Sequence, residues 1–167
     1  MKTSHLVMLA ALLAPLPAHA EVPAAVAASG EQKIAVFHAE GAQVYECKAG
    51  PSGALAWTFR EPVATLLENG KTVGRHYISP TGAGPSWEHA DGSLVVGKVA
   101  GRAPGAAKGD ILLLKLEVIG RKGNGPVAGT TTIQRLNTRG GVADGACPTA
   151  GALLAVPYSA DYAFLKK

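Results

Sequence analysis

A chain of 167 residues is near the usual size of one domain and long enough to bury a single core. Its 16 basic and 12 acidic residues leave a net charge of +4 spread along the chain. That excludes the concentrated basic face of a nucleic-acid binder, and 21 Gly with 11 Pro exclude a mainly helical protein.

The chain opens on Lys2 and His5 and runs apolar from Leu6 to Leu16, ending in Pro17 and Ala18-His19-Ala20. A weakly basic start, an apolar stretch and small residues at a cleavage point make a secretory signal. The stretch is about half of the roughly 20 residues that span a bilayer. The most apolar later segment, Ile111 to Ile119, is interrupted by Lys115 and Glu117. The expected organisation is a signal peptide over 1–20 cleaved near Ala20, a flexible leader over 21–30, and one β domain over 31–167. The expected product is exported, to the periplasm or the exterior, and soluble, with no transmembrane segment.

From residue 31 the apolar period is two. Val44 sits among alternating residues before Cys47, and Val63 to Leu67 and Thr72 to Ile78 flank Asn69-Gly70, a type I′ hairpin signal. Trp87 to His89 and Ser93 to Val99 flank Ala90-Asp91-Gly92, a second hairpin. Ile111 to Ile119, Thr130 to Leu136 and Tyr158 to Leu165 complete the strand-like runs, and Gly- and Pro-rich turns separate them. Short strands with regular turns predict an all-β, single-domain antiparallel fold, either a sandwich or a barrel. Cys47 and Cys147, the only two cysteines, have one possible pairing, and export favours a disulfide between them. A metal or redox pair is the rival, but no C-x-x-C spacing supports it.

Candidate chemistry gathers between the two hairpins, at His76, Tyr77, Trp87, Glu88 and His89, with Asp91 beyond. His76 and His89 on neighbouring strands, with one carboxylate, would outline a metal or acid–base set. The competing reading has Trp87 and His89 sharing a core face and Glu88 in solvent, because adjacent strand residues point to opposite sides. Arg135 and Arg139 at a strand end offer guanidinium groups to an anion; Asp161 is the alternative partner for Arg135. Gly92 to Lys98 matches G-x-x-x-x-G-K only in spacing, with Val99 where a hydroxyl residue belongs. No motif indicates a cofactor.

Gln43-Val44-Tyr45-Glu46-Cys47, Gly74-Arg75-His76-Tyr77 and Pro85-Ser86-Trp87-Glu88 with Asp91-Gly92-Ser93 together form a pattern that resembles the DUF3455 family. So do Ile133 to Thr138 with Gly140-Gly141, Cys147, and Val156 to Tyr162, so that the likeness runs from about residue 31 to 165. The resemblance implies an uncharacterised exported protein of one domain, in a family spread over bacteria and fungi, and brings no catalytic residues with it. Some fungal members carry a malate dehydrogenase label; a G-x-G-x-x-G turn and alternating βαβ pattern, which that activity would need, are missing here. Where the family has a Trp before its Leu-rich strand, this chain has Asp110-Ile111-Leu112.

The leading functional expectation is a non-enzymatic β-domain that binds a small molecule, a glycan or an envelope component. Residues 76 to 91 would line its site, holding His76, Tyr77 and Trp87 in one concave patch. A metal-dependent enzyme centred on His76 and a structural or adhesive module without a pocket are the alternatives.

Overall fold

The computed structural model describes residues 21–167, so the expected signal peptide lies outside the described residues. Eight strands follow one another: β1 (Gln32–Ala49), β2 (Leu55–Glu68), β3 (Lys71–Ile78), β4 (Pro85–His89), β5 (Leu94–Ala103), β6 (Leu113–Lys122), β7 (Thr132–Gly140) and β8 (Leu153–Lys166). Each pairs antiparallel with the next, and β8 returns to β1, closing the sheet into an up-and-down barrel. Of the two architectures open to the sequence, the barrel is the one formed.

The turns carry out what their residues dictate. Asn69 and Gly70 take positive φ values of 50° and 74°, as a type I′ turn requires, and Glu68 pairs with Lys71 on either side. In the second hairpin Asp91 Oδ1 accepts a hydrogen bond from the Ser93 amide at 2.8 Å, and Gly92 supplies φ 83°. Several strands run beyond their expected limits. β1 begins at Gln32, β2 begins at Leu55 and β8 begins at Leu153, because backbone pairing continues where side-chain alternation is weak.

Closure of so small a barrel needs strong coiling, which bulges and glycines provide. Register shifts fall between Val44 and Tyr45, between Val96 and Gly97, and between Val99 and Gly101. Gly41 and Gly74 have no alternative, since a Cβ on either would collide with the carbonyl of Val63 or Glu88 on the adjacent strand.

Alternation then sorts the two faces. Phe37, Ala39, Ala64, Leu66, His76, Trp87, Val95, Leu116, Ile133, Tyr162 and Phe164 point inward and are buried. Their neighbours Glu40, Thr65, Arg75, Lys98 and Glu117 are exposed on the outside. One end of the barrel is packed shut: Val127 from the β6–β7 connection is buried there, and Phe37 meets Phe164 at 5.2 Å between ring centroids. The opposite end is ringed by the β1–β2, β3–β4, β5–β6 and β7–β8 connections.

Within residues 21–30, expected to form a flexible leader, a short turn is tied to the outer wall. A 3-10 turn at Ala24–Val26 buries the Val26 side chain completely. Gln134 Nε2 donates to the Val26 carbonyl at 2.6 Å, and Lys115 Nζ donates to the Ala27 carbonyl at 3.0 Å. The leader has this hold because Gln134 and Lys115 point outward from β7 and β6, where the strap satisfies them.

The Cys47–Cys147 disulfide joins the end of β1 to the β7–β8 connection, with Cα atoms 5.6 Å apart and 100 residues between them. Backbone bonds from the Cys47 amide to Ala152 and from the Gly151 amide to Cys47 reinforce the same junction. Replacing both cysteines by alanine is expected to cost up to about 4–5 kcal/mol, the chain-entropy value for a loop of that length. Urea unfolding of the mature protein, compared with the double variant, measures it.

Candidate functional site

The interior of the barrel is divided by a layer of aromatic rings. His76 on β3 lies directly opposite Trp87 on β4, and the two rings stack at 4.5 Å with planes 10° apart. Tyr162 on β8 leans against both, at 4.9 Å from His76 and 5.2 Å from Trp87. Phe164 packs edge-on beneath Trp87. This layer belongs to the core below it and forms the floor of an open space above it.

His76 has a defined tautomer. Its Nδ1 lies 2.9 Å from the Ser86 carbonyl oxygen, which can only accept, so Nδ1 carries the proton and Nε2 presents a lone pair. Burial holds its pKa down to about 3, and the neighbouring Arg135 charge adds to that, against the opposing Ser86 hydrogen bond. His76 is therefore a neutral, aromatic wall residue at physiological pH.

Above the floor a cavity of about 500 Å³ opens toward the loop-ringed end. Its walls are apolar, from Ile78, Val99, Leu114 and Leu116, and its rim carries Phe59, Leu112 and Val142, all exposed. Gln43, Tyr45, Arg102, Lys108, Asp110 and Arg135 add polar groups. Tyr45 is fixed by donating its hydroxyl to the Gly141 carbonyl at 2.7 Å.

The residues singled out from the sequence separate at the sheet. His76, Trp87 and Arg135 line the cavity. His89 also points inward, but toward the closed end, where it stacks on Phe37 at 5.9 Å and pairs with Asp91 at 3.1 Å. Tyr77 and Glu88 are on the outer surface. There Glu88 Oε2 accepts from Tyr77 at 2.8 Å and from Arg75 Nε at 2.9 Å, and these bonds hold its carboxyl below the usual range. The expected concave patch of His76, Tyr77 and Trp87 is thus corrected: the strand pleat sends Tyr77 to the opposite face from the other two.

The expected pairing of Arg135 with Asp161 is also not made. Arg135 lies opposite Tyr162 in the register, and Asp161 faces outward to His38 at 2.7 Å and Asn137 at 2.8 Å. Sequence reasoning missed Gln43, Tyr45, Tyr162, Arg102 at the end of β5 and Lys108 in the loop after it. The alternation Tyr158, Ala160, Tyr162, Phe164 was a signal that both tyrosines share the inward face; nothing local marked Arg102 or Lys108.

The His76 environment has a consequence for stability. The unfolded chain takes up a proton on this residue near pH 6.5 and the folded chain only near pH 3. Its contribution to stability is therefore complete above about pH 6.5 and is lost progressively as pH falls toward 3. His76→Phe should show a smaller drop in urea midpoint than the wild type between about pH 7 and pH 5, all other groups being common to both.

No curated protein and no solved structure matches the chain. A family model described as "Protein of unknown function (DUF3455)" matches residues 28–166, a span that contains β1 through β7 and all of β8. The chain belongs to the DUF3455 family.

Proposed function

We propose that this protein is a binding protein that carries one small, largely apolar molecule inside its barrel. The observation behind this reading is the preformed cavity of about 500 Å³ over the His76–Trp87–Tyr162 floor. Eight-stranded barrels are just wide enough either to be filled by side chains or to hold one small ligand. This one is filled in its lower half, and its upper half has the size and apolar lining of a ligand site. Glycan binding fits less well, since sugars are read by polar groups beside an exposed aromatic face, whereas Trp87 is buried with its ring against His76.

The surroundings suit an exported carrier. The disulfide favours an oxidising compartment, and the outer wall mixes the charged Glu40, Arg75, Lys98 and Glu117 with exposed Val36, Val63 and Ile119, unlike the uniformly apolar band of a membrane-spanning barrel. Among the described residues no helix is long and apolar enough to cross a membrane. An enzyme centred on His76 would need a second ligand or a carboxylate beside it. Its neighbours are instead two aromatic rings, and among the described residues no three His, Cys, Asp or Glu side chains stand close enough to hold a metal.

A neutral environment-sensitive dye such as N-phenylnaphthylamine should bind the mature protein with one-to-one stoichiometry and brighten on binding. Val99→Trp, which places an indole in the cavity wall, should weaken that binding about tenfold or more while circular dichroism stays that of a folded barrel. Absence of saturable dye binding would sink the carrier reading.

A further inference from the structure

The polar groups of the cavity are unequal in sign. Arg102, Lys108 and Arg135 all line it, and none forms an ion pair among the described residues. The one carboxylate in the lining, Asp110, is already engaged with the backbone. Its Oδ1 accepts from the Gly140 amide at 2.7 Å and its Oδ2 from the Ala107 amide at 2.9 Å, which fixes the loop and leaves little of its charge for the cavity.

Neutral polar groups pack behind the same walls. The Trp87 indole N–H is buried with no acceptor in the protein, and the Gln43 amide lies beside the Tyr158 hydroxyl; both nitrogens sit behind the cavity surface. Both can only donate. The Tyr162 hydroxyl is buried between the Tyr158 hydroxyl and the Arg135 guanidinium, its nearest hydrogen-bonding neighbours. The side chains that reach the open space with unpaired charge are therefore the three cations.

Arg135 is the residue best placed to receive it. It is half-buried, at the level of Tyr162, and its Nε donates to the Leu112 carbonyl at 3.0 Å. That bond anchors the guanidinium beside the Tyr162 hydroxyl, and its terminal nitrogens, which form no ion pair, keep donors that a carboxylate can take. Arg102 and Lys108 are exposed at the rim, where they raise the local concentration of anions. Phe59, Leu112 and Val142 form the apolar part of that rim.

We infer that the ligand is an amphiphile with a single carboxylate and an apolar body, bound head-first, its carboxylate on Arg135 and its tail along the apolar wall to the rim. The inference rests on the carrier reading and narrows it to one ligand class. Neutral apolar molecules satisfy the walls but leave Arg135 without a counter-ion, and cations meet three like charges.

Displacement of N-phenylnaphthylamine by dodecanoate, dodecanol and dodecyltrimethylammonium, at neutral pH on the mature protein, tests it. Dodecanoate should compete at least about tenfold better than dodecanol, and the cation worst. Arg135→Gln should bring dodecanoate down to the level of dodecanol and leave dodecanol unchanged, while Arg75→Gln on the outer face changes neither. Wild-type protein gives a second readout that needs no variant: dodecanoate affinity should weaken with added salt and dodecanol affinity should not. Equal competition by dodecanoate and dodecanol, or equal loss of both in Arg135→Gln, overturns the carboxylate inference and leaves the carrier reading standing. A dye that binds but yields to none of the three also overturns the inference. Failure of the dye itself to bind overturns both.

Discussion

β1 gives up both of its edges, pairing with β2 from His38 to Ala49 and with β8 from Gln32 to Glu46. Every other feature of the molecule depends on that double pairing. A sheet of eight twisted strands left open would expose two rows of backbone donors and acceptors; closed, it has none. Closure also forces the strands to tilt and coil, and the collisions that would follow are relieved at Gly41 and Gly74, where the next strand passes too close for a side chain. Once the ring is shut, each strand has one inside face, and a one-residue slip anywhere would turn the core out into water.

The inside is packed unevenly, and the unevenness defines the site. Toward the closed end, Phe37, Leu66, Val95, Ile133 and Phe164 are buried together in one contiguous cluster. Toward the open end, Ile78, Val99, Leu114 and Leu116 line a cavity of about 500 Å³ instead of filling it. The His76–Trp87–Tyr162 layer separates the two regimes. It is rigid for a physical reason: His76 is held by the Ser86 carbonyl, stacked on Trp87 and kept neutral by burial, and its removal would expose the core to the cavity. The disulfide and the Asp110 bonds do for the loops at the rim what this layer does for the floor, fixing the connections that surround the opening.

Much of the fold could be read in advance, and the reasons are local. Asn69-Gly70 specifies its turn because few residue pairs tolerate two positive φ angles, and Ala90-Asp91-Gly92 specifies another through the aspartate's bond to Ser93. Period-two patterning marks Thr72 to Ile78 and Tyr158 to Leu165 as strands. Less of the site was legible. His76, Trp87 and Arg135 were picked out and line the cavity, but Tyr77 and Glu88 were grouped with them although the pleat puts those two outside. Arg102 ends β5 just past the register shift at Val99–Gly101, which breaks the alternation, and Lys108 lies in the β5–β6 loop, where no periodicity says which way a side chain faces.

The all-β class, the turns and the pairing of Cys47 with Cys147 follow from the chain alone, because each depends on neighbouring residues or on a count of two. Barrel rather than sandwich does not, because it turns on whether β1 meets β8, a contact between segments more than a hundred residues apart. The same holds for the cavity. Alternation says that His76 and Tyr77 face opposite ways, but only closure says which of them is inside. The gathering of Gln43, Arg102, Lys108, Arg135 and Tyr162 around one space draws on strands β1, β5, β7 and β8 and the β5–β6 loop, which no local signal brings together.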